Sequence, residues 1–286
     1  SVTTGTLNTL IGGLAGDATT TGTGNTAIGQ EAFGVNTTGS DNVAIGRDAL
    51  DANTTASNNT AVGKSSLGGN TTGASNVAVG RSALLSNTTA SNNTAVGYQA
   101  GYTNTTGVNN LSLGYQAGYT NATSNYNTAV GTQSLANNTG SNNVALGQSA
   151  LFSNTTASNN TAVGYQAGYS TTTDGENTAV GSQAFYSNTT GNRNVALGRE
   201  ALYSNTTADG NTAVGFEAAL NNTTAELNSA LGFNALRTNT TGGNNVALGA
   251  SALYSNTTAS NNTALGSQAG YANTTGAYNT FLGDIA

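Results

Sequence analysis

Fourteen repeats of this chain carry an asparagine that begins an Asn-x-Thr tripeptide in a recurring loop. A transferase can join a glycan to the side-chain nitrogen of such an asparagine, so one interpretation is an N-linked glycan on nearly every repeat. The other interpretation is that Asn and Thr build a turn and stack as ladders. The tripeptide then recurs only because the structural repeat recurs, and it carries no glycan. The candidate acceptors, called loop asparagines below, are Asn36, Asn53, Asn70, Asn87, Asn104, Asn121, Asn137, Asn154, Asn188, Asn205, Asn222, Asn239, Asn256 and Asn273.

Tyrosines also recur at equivalent places in neighbouring repeats. Side chains one repeat apart can stack as aromatic ladders, inside one chain or between subunits, with about 0.5–1.5 kcal/mol for each pair. The alternative is an exposed stripe of rings that binds sugars. The tyrosines concerned are Tyr98, Tyr102, Tyr115, Tyr119, Tyr169, Tyr186 and Tyr203.

The composition gives little support to catalysis. Cys and His are absent, which removes cysteine nucleophiles, thiolate metal sites and the commonest general base. The 12 acidic residues are scattered instead of sharing one repeat position. We therefore predict no enzyme activity, no catalytic or metal-binding residues and no cofactor. A polysaccharide-active β-helix enzyme, which needs acids grouped with Lys, Arg or His in a groove, is a minor alternative.

Charged residues make up only 6% of the chain, and the net charge is −6. Nucleic-acid binding needs clustered Lys and Arg, and a membrane span needs ~18 consecutive apolar residues. We expect neither a nucleic-acid partner nor membrane insertion. Three cations occupy one position in consecutive repeats: Arg47, Lys64 and Arg81. Because like charges repel, we expect them to face solvent or to meet acids such as Glu31, Asp48 and Asp51.

A repeated sequence motif, Asn-(Thr/Val)-Ala-(Val/Ile/Leu)-Gly, predicts the secondary-structure elements that position these residues. Its glycine, the repeat glycine, returns every 17 residues, except that Gly131 and Gly147 are 16 residues apart. A short fixed period is typical of a solenoid, in which each coil packs only on its neighbours. We predict an all-β protein, a parallel β-solenoid of about 17 coils forming one continuous domain over residues 1–286.

Each coil is predicted to hold two short strands. One comprises the three residues before the repeat glycine, and the other starts about two residues after it. The glycine and the Asn-Thr-Thr loop make the bends. The aliphatic residue before each glycine, several alanines and one larger apolar group would form a thin core. Such a core leaves apolar surface for a partner chain.

The phrase Asn-Thr-Ala-Val-Gly-Tyr-Gln-Ala-Gly-Tyr, at residues 93–102 and 160–169, resembles two related repeat types. One is the head repeat of trimeric autotransporter adhesins, and the other occurs in tail-fibre-like bacteriophage proteins and large bacterial surface proteins. The resemblance covers essentially the whole chain. It implies a left-handed β-roll and packing of three chains around a threefold axis.

We therefore expect a structural fibre at an extracellular, cell-surface or virion location, used for adhesion or receptor presentation. Its expected partners are itself, as a homotrimer or an end-to-end filament, and a cell-surface glycan or receptor. The missing initiating Met suggests an excerpted or processed chain, and uncapped end coils suggest flanking domains or end-to-end stacking. Alternatives are a self-polymerising environmental surface filament with an N-glycan coat and an ice-binding solenoid.

Overall fold

A computed structural model describes residues 4–286, and its regular structure consists of seventeen three-residue strands without any helix. The chain divides into two units, one ending at Asn142 and the other running from Asn143 to Ala286. The first unit contains β1 (Thr9–Ile11), β2 (Thr26–Ile28), β3 (Val43–Ile45), β4 (Thr60–Val62), β5 (Val77–Val79), β6 (Thr94–Val96), β7 (Leu111–Leu113) and β8 (Thr128–Val130). The second contains β9 (Val144–Leu146), β10 (Thr161–Val163), β11 (Thr178–Val180), β12 (Val195–Leu197), β13 (Thr212–Val214), β14 (Ser229–Leu231), β15 (Val246–Leu248), β16 (Thr263–Leu265) and β17 (Thr280–Leu282).

Consecutive strands within each unit pair in parallel, with equivalent residues opposite one another. Ala44 pairs with Ala61 in the first unit, and Ala162 pairs with Ala179 in the second. Most paired residues are therefore 17 positions apart, and each strand adds one rung to a parallel sheet. The predicted all-β parallel solenoid with a 17-residue coil is confirmed.

The core of each unit is built mainly from alanine. The middle residue of nearly every strand is a fully buried alanine, called the strand alanine below, and Ala49 and Leu50 show how the following turn completes the core. Both of these side chains are inaccessible to solvent. Each coil adds at most one larger buried group, such as Phe33 or Phe185, so each coil buries little apolar surface and needs polar interactions between coils as well.

The aliphatic residue before each repeat glycine does not belong to this core, and the sequence-based expectation was wrong on this point. Side chains alternate along a strand, so the strand alanine faces inwards and its two neighbours face outwards. Leu197 is 44% exposed and Leu248 is 38% exposed. A strand with a strand alanine therefore buries one methyl group and presents two other side chains to the outside.

The predicted second strand is also wrong, because the residues after the repeat glycine form a turn. Asp48 has a φ of 58° and Leu50 a φ of 50°, both in the left-handed region, whereas a strand needs extended backbone throughout. A leucine in this conformation costs roughly 1–2 kcal/mol. Full burial of Leu50 and the hydrogen bond from its N–H to the carbonyl of Ser66, 3.0 Å long, offset that cost.

The repeat glycines stack directly on one another through their backbones. Gly63 has a φ of +130°, and a Cβ added to it would lie 2.7 Å from the carbonyl carbon and oxygen of Gly80. Such a separation is far inside van der Waals contact. The repeat glycine therefore supplies both an unusual φ and the space for the next coil.

We expect Gly63→Ala to lower the free energy of unfolding by about 3 kcal/mol, because it adds a backbone clash to backbone strain. Chemical denaturation followed by circular dichroism measures this change. Gly13→Ala is the control, since a Cβ at Gly13 meets nothing within 4 Å. Equal midpoints for the two variants would contradict the close stacking of coils.

Candidate functional site

The loop asparagines form a ladder of buried side-chain amides inside each unit. The Nδ2 group of Asn70 donates to Oδ1 of Asn53 at 3.0 Å and to the backbone carbonyl three residues further on at 2.9 Å. Asn87 repeats the pattern one coil later, with its Nδ2 group 2.7 Å from Oδ1 of Asn70. In the second unit, Asn239 Nδ2 lies 2.9 Å from Oδ1 of Asn222. Each amide thus closes its own turn and bonds to the preceding coil.

A second asparagine ladder lies directly before the strands, and sequence reasoning did not identify it. The backbone N–H of Asn59 donates to Oδ1 of Asn42 at 3.0 Å, and that of Asn42 donates to Oδ1 of Asn25 at 3.0 Å. The Nδ2 group of Asn59 also reaches the carbonyl of Gly73 in the next coil, at 2.9 Å. The available signal was an asparagine before every strand, which a solvent-exposed turn would not require.

The structure places most predicted glycan acceptors in the loop ladder, where their nitrogens are buried. An N-linked glycan replaces an Nδ2 hydrogen that the fold already uses, so attachment there conflicts with the folded coil. Asn273 is only half-buried, and Asn137 is exposed because the one-residue deletion makes Asn138 the buried asparagine of that loop, with Nδ2 at 2.7 Å from the carbonyl of Gly140. The buried acceptors are Asn36, Asn53, Asn70, Asn87, Asn104, Asn121, Asn154, Asn188, Asn205, Asn222, Asn239 and Asn256.

All seven singled-out tyrosines lie in stacks. Tyr98 and Tyr115 have centroids 5.6 Å apart, and Tyr102 and Tyr119 have centroids 5.1 Å apart. In the second unit the rings of Tyr169, Tyr186 and Tyr203 follow one another at 5.1 Å with interplanar angles of 9° and 4°. Phenylalanines and two further tyrosines, which the sequence analysis left out, make equivalent stacks: Phe152 with Tyr169, Phe216 with Phe233, and Tyr254 with Tyr271.

The stacked geometry argues for a structural use of these rings. A sugar binds an aromatic residue by lying against the face of the ring. Both faces of Tyr186 are covered, by Tyr169 on one side and Tyr203 on the other. A stack of this kind offers mainly ring edges to a ligand. We therefore assign the ladders to contact between coils.

Two of the three cations at equivalent positions, Arg47 and Arg81, make different contacts. Arg47 Nε lies 3.5 Å from a carboxylate oxygen of Asp48, and the guanidinium of Arg81 lies 5.8 Å from the centre of the Tyr98 ring. Burial raises the pKa of Asp51, and the negative charges of Asp48 and Glu31 raise it further. The expected meeting of cations and acids therefore holds for Arg47, whereas Arg81 uses a ring.

The outward face of the strands is an uncharged surface with an aliphatic side chain on every strand of each unit. The first and third residues of the seventeen strands are Thr, Ser, Val, Ile or Leu, and none is charged. We call these two columns the outer strand face. In the second unit they border an apolar groove of about 270 Å³, lined by Leu231, Val246 and Leu248 among others. Leu231 is 47% exposed, so this face is open to solvent in the single chain.

One polar recess of about 330 Å³ interrupts the loop side of the second unit. It lies where Thr171 replaces a loop asparagine and where Asp174 and Glu176 depart from the repeat. Glu176 pairs with Arg193 through an oxygen–nitrogen distance of 3.0 Å, and both side chains are largely exposed. The recess therefore holds a solvated ion pair where the loop pattern changes.

No family model and no curated protein matches this chain at a significant level. Across residues 4–286, no helix has the length and apolar character that a membrane span requires. The same residues contain no group of three or more acidic side chains arranged to hold a metal ion.

We expect Asn70→Ala to lower the free energy of unfolding by about 3 kcal/mol, because it removes three buried hydrogen bonds and leaves Oδ1 of Asn53 and one Nδ2 hydrogen of Asn87 without a partner. Thr72→Ala is the matched control, since Thr72 is an exposed residue of the same loop. Urea titration of both variants gives the comparison. A loss below ~1 kcal/mol for Asn70→Ala would contradict the importance of the ladder.

We expect Asp51→Asn to stabilise the protein at neutral pH and to have no effect in strong acid. The raised pKa means that the folded state disfavours the charged carboxylate, so stability falls as pH rises through the ordinary value of 3.8 towards the higher folded value. Thermal unfolding between pH 2 and pH 7 follows this change. Asp284→Asn, at an exposed position, controls for the loss of one charge. A gain that persists at pH 2 would refute this cause.

Proposed function

We propose that this chain is a non-enzymatic structural fibre protein of a cell surface, virion or extracellular filament. In this proposal its coils associate as a homotrimer through the outer strand face, and the assembly presents or projects an adhesive or receptor-binding element. The observation that carries the proposal is the outer strand face itself: an uncharged, partly exposed apolar surface present on every strand of both units.

The extent of this face favours an interface over a solvated surface. Contiguous apolar patches above a few hundred Å² are rare on monomers and usually mark interaction sites. With ~4.8 Å between rungs, eight or nine strands give a stripe roughly 35–40 Å long in each unit. The repeat places charged residues elsewhere in the coil, for example Arg47 and Asp48 after the glycine. The outer strand face is thus kept free of the groups that oppose association.

A second copy of the same chain is the occupant that fits this face best. Another copy presents the same residues at the same rung spacing, so side chains of one chain can fall into the gaps of the other along the whole stripe. The groove between Leu231, Val246 and Leu248 is the kind of recess that an aliphatic side chain fills. Association would remove the exposed leucines from water, with a gain of ~25 cal/mol for each Å² buried.

The internal construction also suits a structural role. Side-chain ladders of Asn, Tyr and Thr join each coil to the next, for example Thr54 Oγ1 to the carbonyl of Thr71 at 3.2 Å. The described cavities are a polar recess with a solvated ion pair and an apolar groove. Neither combines a nucleophile, a base and a site for a reacting atom. We therefore propose that the chain supports and spaces other elements.

We expect native mass spectrometry to find three copies of the 28.2 kDa chain, and Leu231→Glu with Leu248→Glu to yield monomers. Two buried charges on the outer strand face would oppose association by several kcal/mol. Thr241→Glu with Thr258→Glu is the matched control, because it adds the same charge, one coil apart, at exposed loop positions.

Circular dichroism of both double variants checks that the coils remain folded. A wild-type chain that stays monomeric at micromolar concentration, or a folded Leu231/Leu248 variant that still forms trimers, would overturn the proposed interface. Open-ended polymers in place of trimers would support the self-polymerising filament instead.

A further inference from the structure

The fold divides the Asn-x-Thr tripeptides of this chain into a buried set and an exposed set. Besides the loop tripeptides, an Asn-Asn-Thr sequence begins five residues after a loop asparagine in four coils. The first asparagine of that sequence is exposed, and the second is the buried asparagine before the strand. We call the exposed residues the outer asparagines: Asn58, Asn92, Asn159 and Asn261.

The backbone directs the outer asparagines away from the core. Asn58 has a φ of 63°, and the other three have a φ of 62°. Asn tolerates this left-handed conformation better than most residues, so the position is explained without a side-chain hydrogen bond. Within residues 4–286 their amide groups make no such bond. Asn58 contributes only its backbone N–H, which donates to the carbonyl of Ser40 at 3.0 Å.

The loop asparagines differ from the outer asparagines in both solvent exposure and side-chain hydrogen bonding. The Nδ2 group of Asn53 is inaccessible and donates both hydrogens, to Oδ1 of Asn36 at 3.1 Å and to the carbonyl of Ala56 at 3.0 Å. A glycosyl group on this nitrogen would remove one hydrogen and would occupy space filled by the adjacent coils. At Asn58, five residues later, the nitrogen is free, and the hydroxyl-bearing Thr60 is itself partly exposed.

We propose that the outer asparagines are the glycan-attachment sites of the folded chain, and that the buried loop asparagines are not. The ligand class is an oligosaccharide carried on a polyprenyl diphosphate. In the transfer, the bond between Nδ2 and the sugar C1 forms, the bond between C1 and the diphosphate oxygen breaks, the amide loses one proton, and the lipid diphosphate leaves. Asn137, exposed through the one-residue deletion, is expected to accept the same group.

The chain supplies its own matched controls as pairs within one coil: Asn53 with Asn58, Asn87 with Asn92, Asn154 with Asn159, and Asn256 with Asn261. The folded protein is incubated with a single-subunit oligosaccharyltransferase and a polyprenyl-diphosphate oligosaccharide, and glycopeptides are mapped by mass spectrometry. A heat-unfolded sample and an acceptor peptide are treated in parallel. We expect sugar on the second member of each pair in the folded protein, and on both members in the unfolded chain.

Occupancy at least tenfold higher at Asn58 than at Asn53 in the folded protein would support the assignment, and Asn58→Gln should remove that sugar. Equal occupancy of the pair members would overturn it. A folded protein without sugar at the outer asparagines, while the acceptor peptide is modified, would also overturn it. If the loop asparagines stay unmodified in the unfolded chain, burial is not the reason for their exclusion, and the proposal fails on its physical argument.

Discussion

Within each unit, hydrogen bonds between buried asparagine amides join successive coils. The length of the coil and the packing of its core depend on keeping these bonds. Asn53, Asn70 and Asn87 each donate to the preceding amide and to a backbone carbonyl of their own turn. An unpaired amide at such depth costs about 1–3 kcal/mol, so a coil of different length would lose stability unless another asparagine took the place. The 16-residue coil agrees with this requirement, because Asn138 is buried and closes its turn on the carbonyl of Gly140, while Asn137 is displaced to the surface.

Filling the interior with asparagine and alanine has a consequence for the exterior. The turns supply the buried leucines, such as Leu50, and the strands face inwards with alanine, so the large aliphatic groups of the strands, such as Leu197 and Leu248, lie outside. The proposed association of chains would bury them. The same packing sorts the Asn-x-Thr tripeptides, since an amide committed to the ladder cannot also carry a sugar. The core composition, the proposed association and the proposed modification thus all depend on the same interior side chains.

Several features were predictable from the sequence, and the errors have physical causes. The repeat glycines and strand alanines gave the parallel solenoid and its coil length correctly. The aliphatic residue before each repeat glycine was wrongly expected to face the core. Side chains alternate between the two faces of a strand, and packing against the rest of the coil decides which residue of a three-residue strand faces inwards. The turn after each glycine was mistaken for a strand because Leu50 and its equivalents adopt a left-handed φ that leucine alone does not favour. Burial and hydrogen bonds to the next coil offset the cost of this left-handed conformation.

The sequence by itself determined the period, the parallel stacking, the scarcity of charge and the presence of asparagine and tyrosine columns, because identical spacing brings identical side chains together. Only the tertiary structure decided which side of the coil each column occupies. It placed Asn53 inside and Asn58 outside, although both begin an Asn-x-Thr tripeptide. The reason is that a side chain's direction depends on the φ angles of its turn and on the hydrogen-bonding groups that the adjacent coil leaves open, and neither is local to the tripeptide.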